Sequence, residues 1–219
     1  MTIAIDGPAG AGKSTVAREA ARRLGYTYID TGAMYRGIGV SVMRLGIDTK
    51  DRAAVAACLP VEIDTTEAIR TPEASLAASD VAAIPEVRAY LLEIQREMAR
   101  REGDCILDGR DIGTVVLPGA DVKIFLTAAP EARARRRWEE LKAKGIDDPY
   151  EKVLAEVLAR DGQDMNRAAA PLKPAPDSIL LDTTGMNLEE SIRTLLDIII
   201  CRGGCPQPPA IPAVEIHAG

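Results

Sequence analysis

Apolar residues fall along this chain in two alternating rhythms. Met1-Thr2-Ile3-Ala4-Ile5-Asp6 is a short apolar run that predicts a buried strand. Ser14 to Leu24 then carries Val16, Ala17, Ala20, Ala21 and Leu24 at helical spacing, with Gly25 as its stop. Thr27-Tyr28-Ile29-Asp30 predicts a second strand. Thr31 is placed to cap a helix running to about Leu45, which Gly46 ends. Periodicity is weak over residues 48–80, which predicts a helical excursion and loop outside the sheet. Val87, Leu91, Leu92, Ile94 and Met98 support a helix from Pro85 to about Arg101. Asp104–Asp108 and Asp121–Leu126 are the next strands, and a basic helix over 130–144 follows, broken by Gly145 to Pro149. A further helix runs to about Asp161. After a Pro- and Ala-rich loop come a strand at Ser178–Leu181 and a helix over roughly Leu188 to Ile200. Strands alternating with helices predict an α/β fold with a five-stranded parallel sheet flanked by helices.

Between the first strand and helix lies Gly7-Pro8-Ala9-Gly10-Ala11-Gly12-Lys13-Ser14, a complete G-x-x-x-x-G-K-[ST] phosphate-binding loop. Its glycines let backbone N–H groups turn inward on phosphate oxygens, where a side chain at Gly10 or Gly12 would obstruct them. The positive end of the following helix faces the same anion. Lys13 is placed to reach the β- and γ-phosphates and the Ser14 hydroxyl to ligate Mg²⁺, with Thr15 closing the loop. The chain is therefore read as a P-loop protein that binds a nucleoside triphosphate with Mg²⁺.

Composition narrows the chemistry. At 219 residues the chain suits one α/β domain, with 47% hydrophobic and 27% charged residues. The net charge of −6 argues against a general nucleic-acid surface. No run approaches the roughly 18 apolar residues of a membrane span. The first strand begins at once, which leaves no room for a signal peptide, so a cytoplasmic protein is expected. A monomer is expected too. The single histidine, His217, sits near the C-terminus, so the folded body has no imidazole base. Phosphoryl transfer needs none, because positioning and charge neutralisation carry it. Of the four cysteines, Cys105 reads as a small core residue. Cys201 and Cys205 lie in a segment, 201–219, expected to be a disordered tail.

Ligands gather at the carboxyl ends of such strands, and arginines recur there. Asp30-Thr31-Gly32-Ala33-Met34-Tyr35-Arg36, Ser79 with Arg88, Gly109-Arg110-Asp111, and Arg160-Asp161-Gly162-Gln163-Asp164-Met165-Asn166-Arg167 are four such segments. Arginine forks match phosphate oxygens bidentately, so several aimed at one cleft imply multiple phosphates.

The loop, the Asp-Thr-Gly-Ala-Met-Tyr-Arg segment, the Asp-Gly-Arg-Asp-Ile-Gly-Thr-Val-Val run at 108–116 and the Arg-Asp-x-x-Asp-x-x-Asn-Arg-Ala run together resemble bacterial cytidylate kinases, collinearly from about residue 2 to 200. The resemblance implies phosphorylation of CMP and dCMP by ATP with Mg²⁺, in pyrimidine nucleotide metabolism. It implies one kinase domain over 1–200, with a monophosphate-binding insert at about 46–85 and a lid at about 130–165. By the same resemblance Arg36, Arg110 and Arg167 hold the CMP phosphate, and Thr31 and Tyr35 line its pocket. Ser79, Arg88 and Asp111 read the cytosine edge, while Arg160 and Asp164 hold the ribose hydroxyls. Arg133, Arg136 and Arg137 belong to the lid over ATP, with Lys13, Arg110, Arg133 and Arg137 as the catalytic charges. Two departures from the family pattern stand out. The insert is trimmed to Val61–Thr71 where a small hairpin region is usual, and Gln163 replaces a common basic residue. A shikimate or dephospho-coenzyme-A kinase shares the loop and lid arginines but has no need of Ser79, Arg88 and Asp111. A nucleotide switch would need no acceptor site, and no N-K-x-D run is present.

Overall fold

The computed structural model describes residues 1–203. The first strand, β1 (Thr2–Asp6), alternates as a strand buried on both faces must. Ile3 and Ile5 point to one side, against Val16, Ala17 and Ala20 of helix α1 (Lys13–Leu24) and against Leu195 and Ile199 of α8 (Leu188–Gly203). Ala4 points to the other, with Ile29 of β2 (Thr27–Asp30), Leu107 of β3 (Cys105–Gly109) and Ala99 of α5 (Pro85–Glu102). Strands β4 (Val122–Thr127) and β5 (Ile179–Asp182) complete a wholly parallel sheet in the order β2-β3-β1-β4-β5. The expected five-stranded sheet is thus present, and Cys105 is buried in its core.

Register aligns the strand ends that matter. Asp6 lies opposite Gly109, Asp30 opposite Asp108, and Thr127 opposite Asp182. The phosphate loop, the Asp30-Thr31 step and the Gly109–Asp111 turn therefore leave the sheet along one edge.

Two smaller cores stand apart from the sheet. Ile38 and Val42 of α2 (Thr31–Arg44) pack with Val55 of α3 (Arg52–Ala57), Val81 of α4 (Pro72–Ala82) and Val87 and Leu91 of α5. Residues 48–84 are helices and turns, including a 3₁₀ turn at Glu67–Arg70, with no strand. Ala134 and Leu141 of α6 (Pro130–Ala143) pack on Val153 of α7 (Tyr150–Asn166), flanked by Trp138 and Tyr150.

Boundaries differ from expectation in four places. Asp30, not Thr31, caps α2, accepting from the Ala33 N–H at 2.8 Å, because Thr31 turns its hydroxyl to the Asp108 carbonyl. Helix α7 continues past Asp161 and through Gly162 to Asn166, since Asp161 and Asp164 are both held by arginines of other elements. Helix α8 includes Cys201, which is exposed; Cys205 and His217 lie outside the described residues. Residues 112–116 form a π-helical turn, which no local pattern in the sequence announces.

Candidate active site

The phosphate loop is shaped by its glycines. Gly7 has φ +150°, and a Cβ there would come within 1.9 Å of the Leu126 carbonyl oxygen, so only glycine fits. Gly10 and Gly12 also have positive φ, and Gly12 precedes α1 without any side-chain acceptor on the helix's first N–H groups. No acidic residue stands in that first turn, so those donors are available to an anion. Ala11 is buried, whereas Thr15 is exposed beside the loop.

Lys13 lies only 5% exposed, with Nζ donating to the Pro8 carbonyl at 2.8 Å. Burial, helped by the charge of Arg110, lowers its pKa to about 7, against the pull of Asp108, Asp6 and Asp164. The Ser14 hydroxyl donates to Asp108 Oδ2 at 2.7 Å, and Tyr28 donates to Asp108 Oδ1 at 3.0 Å. Burial pushes the Asp108 carboxyl up, with Asp30 adding to the rise. A hydroxyl and a carboxylate beside a phosphate loop are hard oxygen donors of the type Mg²⁺ takes, and Mg²⁺ draws its remaining ligands from water and phosphate. Among the described residues no larger group of His, Cys, Asp or Glu gathers as a metal cage.

Next to the loop stand two carboxylates, each between two arginines. Asp111 accepts from Arg88 Nη2, and Arg167 Nη2 lies 3.5 Å from its other oxygen, without the alignment of a hydrogen bond. Asp164 accepts from Arg110 Nε at 2.8 Å, with Arg160 Nε 3.7 Å away. Burial alone would raise the Asp164 carboxyl, but Arg110, Arg160 and Arg167 outweigh it and hold it below the usual range. Arg36 pairs with Asp30 at 3.1 Å, and the Arg88 guanidinium lies 5.8 Å from the centre of the Tyr35 ring. A cavity of about 230 Å³ beside Tyr35 and Arg88 reaches Gln95, whose Nε2 is buried without a hydrogen-bond partner. Asp111 thus gathers Arg88, Arg167 and, through Arg88, Tyr35, while Asp164 gathers Arg110 and Arg160; Thr31 bonds the Asp108 carbonyl and Arg36 pairs with Asp30 at the neighbouring strand ends. The Ser79 hydroxyl donates instead to Gln163 Oε1 at 3.5 Å, which connects α4 to α7.

The basic helix divides. Arg133 is 3% exposed and donates to the carbonyls of Ala128 and Ala9 and to both oxygens of Asp161. It therefore braces the phosphate loop from behind. Arg136 donates to the Thr183 carbonyl at 2.6 Å. Arg137 is not brought to the loop; its side chain is 44% exposed and pairs with Glu140 at 3.6 Å.

Four residues in this architecture were not singled out from the sequence: Asp6, Asp108, Arg96 and Asp161. Asp108 carried a signal, since an Asp closing an apolar strand falls at the ligand edge of a parallel sheet. Asp161 stood inside the Arg-Asp-x-x-Asp run, but nothing local gave it a partner, and Arg96 carried no signal, because it looks like a solvated helix charge until its tertiary partner is known. Asp6 is buried, accepts the N–H groups of Ile112 and Gly113, and is raised by that burial to about 6.

Comparison with known proteins adds the family. Residues 3–200 match the cytidylate kinase family model. A cytidylate kinase of Carboxydothermus hydrogenoformans is 50% identical, the match covering 91% of this chain and 97% of that protein. One from Mycobacterium leprae is 48% identical over 93% of this chain and 97% of its own length. Among solved structures, a sugar kinase of a Janibacter species superposes with TM-score 0.50 at 17% identity, covering 90% of this chain and 93% of that one. An uncharacterised protein of Eubacterium ventriosum gives 0.53 at 13% identity, covering 92% and 99%. Those two similarities are of fold alone.

Proposed function

From the premise that the chain belongs to the cytidylate kinase family, we propose that it transfers the γ-phosphoryl group of ATP to CMP and dCMP, giving CDP and dCDP. The observation that carries the reading is the pair of arginine-flanked carboxylates, Asp111 and Asp164, beside the phosphate loop.

Gly7 to Thr15 hold the triphosphate, with Lys13 against its β- and γ-groups. Ser14 and Asp108 would hold Mg²⁺, which would supply charge opposite the phosphates. Arg36, Arg110 and Arg167 take the CMP phosphate, and Thr31 and Tyr35 wall its pocket. Arg160 and Asp164 meet the ribose hydroxyls. Ser79, Arg88 and Asp111 meet the base. The Arg88–Asp111 ion pair sets a donor beside an acceptor, which complements cytosine's N3 acceptor and N4 amino donor. Arg133 braces the loop, and α6 with α7 forms the lid that carries Arg136 and Arg137 and excludes water on closing. Residues 46–85 form the acceptor-binding insert.

The nucleophile is a phosphate oxygen of CMP. A phosphate monoester's second pKa is about 6, so this oxygen is already ionised at neutral pH and needs no general base. What the residues supply is alignment of two polyanions and charge opposite the transferring group. ADP formation with CMP, dCMP, UMP, AMP and GMP as acceptors tests the reading: CMP and dCMP are used well, and turnover without an acceptor is negligible. The same reading makes the protein a cytoplasmic enzyme of pyrimidine nucleotide metabolism, monomeric and without nucleic-acid or membrane partners.

A further inference from the structure

The π-helical turn at Ile112–Val116 begins one residue after Asp111. Its defining bonds run from the Val116 N–H to the Asp111 carbonyl at 3.1 Å and from Leu117 N–H to the Ile112 carbonyl at 2.7 Å. An isolated π turn is a poor structure by itself, and such turns persist where the surroundings over-determine them. Here a charged side chain grips each end. Asp6 accepts the Ile112 N–H at 2.7 Å on one oxygen and the Gly113 N–H at 2.8 Å on the other. Arg96 of α5 donates from Nε to the Val116 carbonyl and from Nη2 to the Val115 carbonyl, both at 3.0 Å. Each charge also has the favourable sign for its end, anion at the N–H end and cation at the carbonyl end.

Neither residue belongs to the set that meets phosphate or base. Asp6 is the last residue of β1, directly before Gly7, and Arg96 stands two helical turns beyond Arg88 on α5. The turn between them leads out of Arg110-Asp111, so its setting fixes where those two side chains point.

We propose that Asp6 and Arg96 are positioning residues whose grip on the 112–116 turn sets the aim of Arg110 and Asp111, and thereby the preference for cytosine over uracil. The inference rests on the CMP kinase reading above. It adds that base selectivity is held partly from outside the pocket. Asp6 also ties the turn to the strand that launches the phosphate loop, so donor and acceptor sites share one anchor.

The test uses Asp6→Asn, Arg96→Met and Arg96→Lys in the full chain. Asn keeps one acceptor but turns an N–H₂ toward a backbone N–H, and Met keeps the apolar stem of Arg96 without its donors. In Arg96→Met, kcat/KM for CMP is expected to fall about tenfold or more, since two charge-assisted hydrogen bonds are lost. The CMP-to-UMP ratio falls with it, while KM for ATP stays within about twofold of wild type. Arg96→Lys, with one compact ammonium, recovers part of the ratio. Asp6→Asn shows the same fall in ratio if it folds; if it does not, the Arg96 variants decide. An unchanged CMP-to-UMP ratio in folded Arg96→Met overturns the inference, whatever happens to its melting temperature. A wild-type protein indifferent to CMP and UMP would instead remove the functional reading, and this inference with it.

Discussion

Arg133 and Asp161 form a two-pronged ion pair, with N–O distances of 3.0 and 2.5 Å, that ties α6 to α7 directly behind the phosphate loop. The same guanidinium reaches the Ala9 carbonyl at 3.0 Å, so the loop and both helices share one anchor.

Breaking that anchor from one side leaves a buried charge without its carboxylate. Asp161→Asn is expected to cost about 3 kcal/mol or more, which for a domain of this size lowers Tm by about 6–12 °C. Arg133→Lys loses the fork and is expected to fall in the same direction. Thermal unfolding followed by circular dichroism measures both, and an unchanged Tm would show that the pair is idle.

Lys13 carries a prediction about protons. Its buried ammonium has a pKa lowered to about 7, below the ordinary lysine value. A triphosphate at the loop favours the charged form and raises that pKa. The free protein is largely neutral at Lys13 above about pH 7, so nucleotide binding at pH 8 takes up a proton. Affinity for ATP accordingly weakens as pH rises above 7. For folding, the pH slope has the same sign as for a carboxylate whose pKa is lowered in the folded state: stability rises with pH, here because the buried ammonium is the disfavoured form. The unfolded chain binds this proton more readily between about pH 7 and the ordinary lysine value, so Lys13's unfavourable contribution shrinks as pH rises through that window. Calorimetry of ATP binding in buffers of different ionisation enthalpy reads the uptake directly. Lys13→Met should show none, with its circular dichroism intact and phosphoryl transfer nearly abolished. Proton-neutral binding by the wild type at pH 8 would contradict the lowered pKa.

In the proposed function Arg110 and Arg167 act on the acceptor. Each offers charge-assisted contacts whose loss costs about 1.5–3 kcal/mol. Substitution by Ala is expected to raise KM for CMP and lower kcat, with ATP affinity nearly unchanged. Steady-state kinetics with each substrate varied in turn provides the check; equal losses for ATP and CMP would misplace both arginines.

Asp111→Asn probes the base itself. Its amide can turn an N–H toward the uracil O4, but only by giving up the acceptor that faces cytosine N4. The CMP-to-UMP ratio is expected to narrow, chiefly through poorer use of CMP. A ratio equal to wild type would mean that Asp111 does not read the base.

The sequence carried much of this architecture because local rules agree with the final fold. Ile3 and Ile5 alternate with Ala4, the loop follows, and Val16, Ala17 and Ala20 face back onto the same strand. What was not legible depends on partners distant in the chain. The π turn is held by Asp6, 106 residues before it, so no pattern within 112–116 announces it. Gly162 reads as a helix end, yet α7 runs through it because Arg133 and Arg110 hold Asp161 and Asp164 in place. Among the closely spaced arginines of α6, Asp161 with the Ala128 and Ala9 carbonyls holds Arg133 inward while Arg137 stays exposed. Identical side chains at neighbouring positions are told apart by their partners alone.

The Arg88–Asp111 pair and the arginines proposed for the acceptor phosphate are expected to restrict this kinase to cytosine nucleotides. The most direct measurement is kcat/KM for ATP-dependent phosphorylation of CMP, dCMP, UMP, AMP and GMP by the wild-type protein. CMP and dCMP are expected to be good acceptors, UMP much poorer, and AMP and GMP inert. Equal use of UMP and CMP, or turnover that needs no nucleotide acceptor, would contradict that expectation.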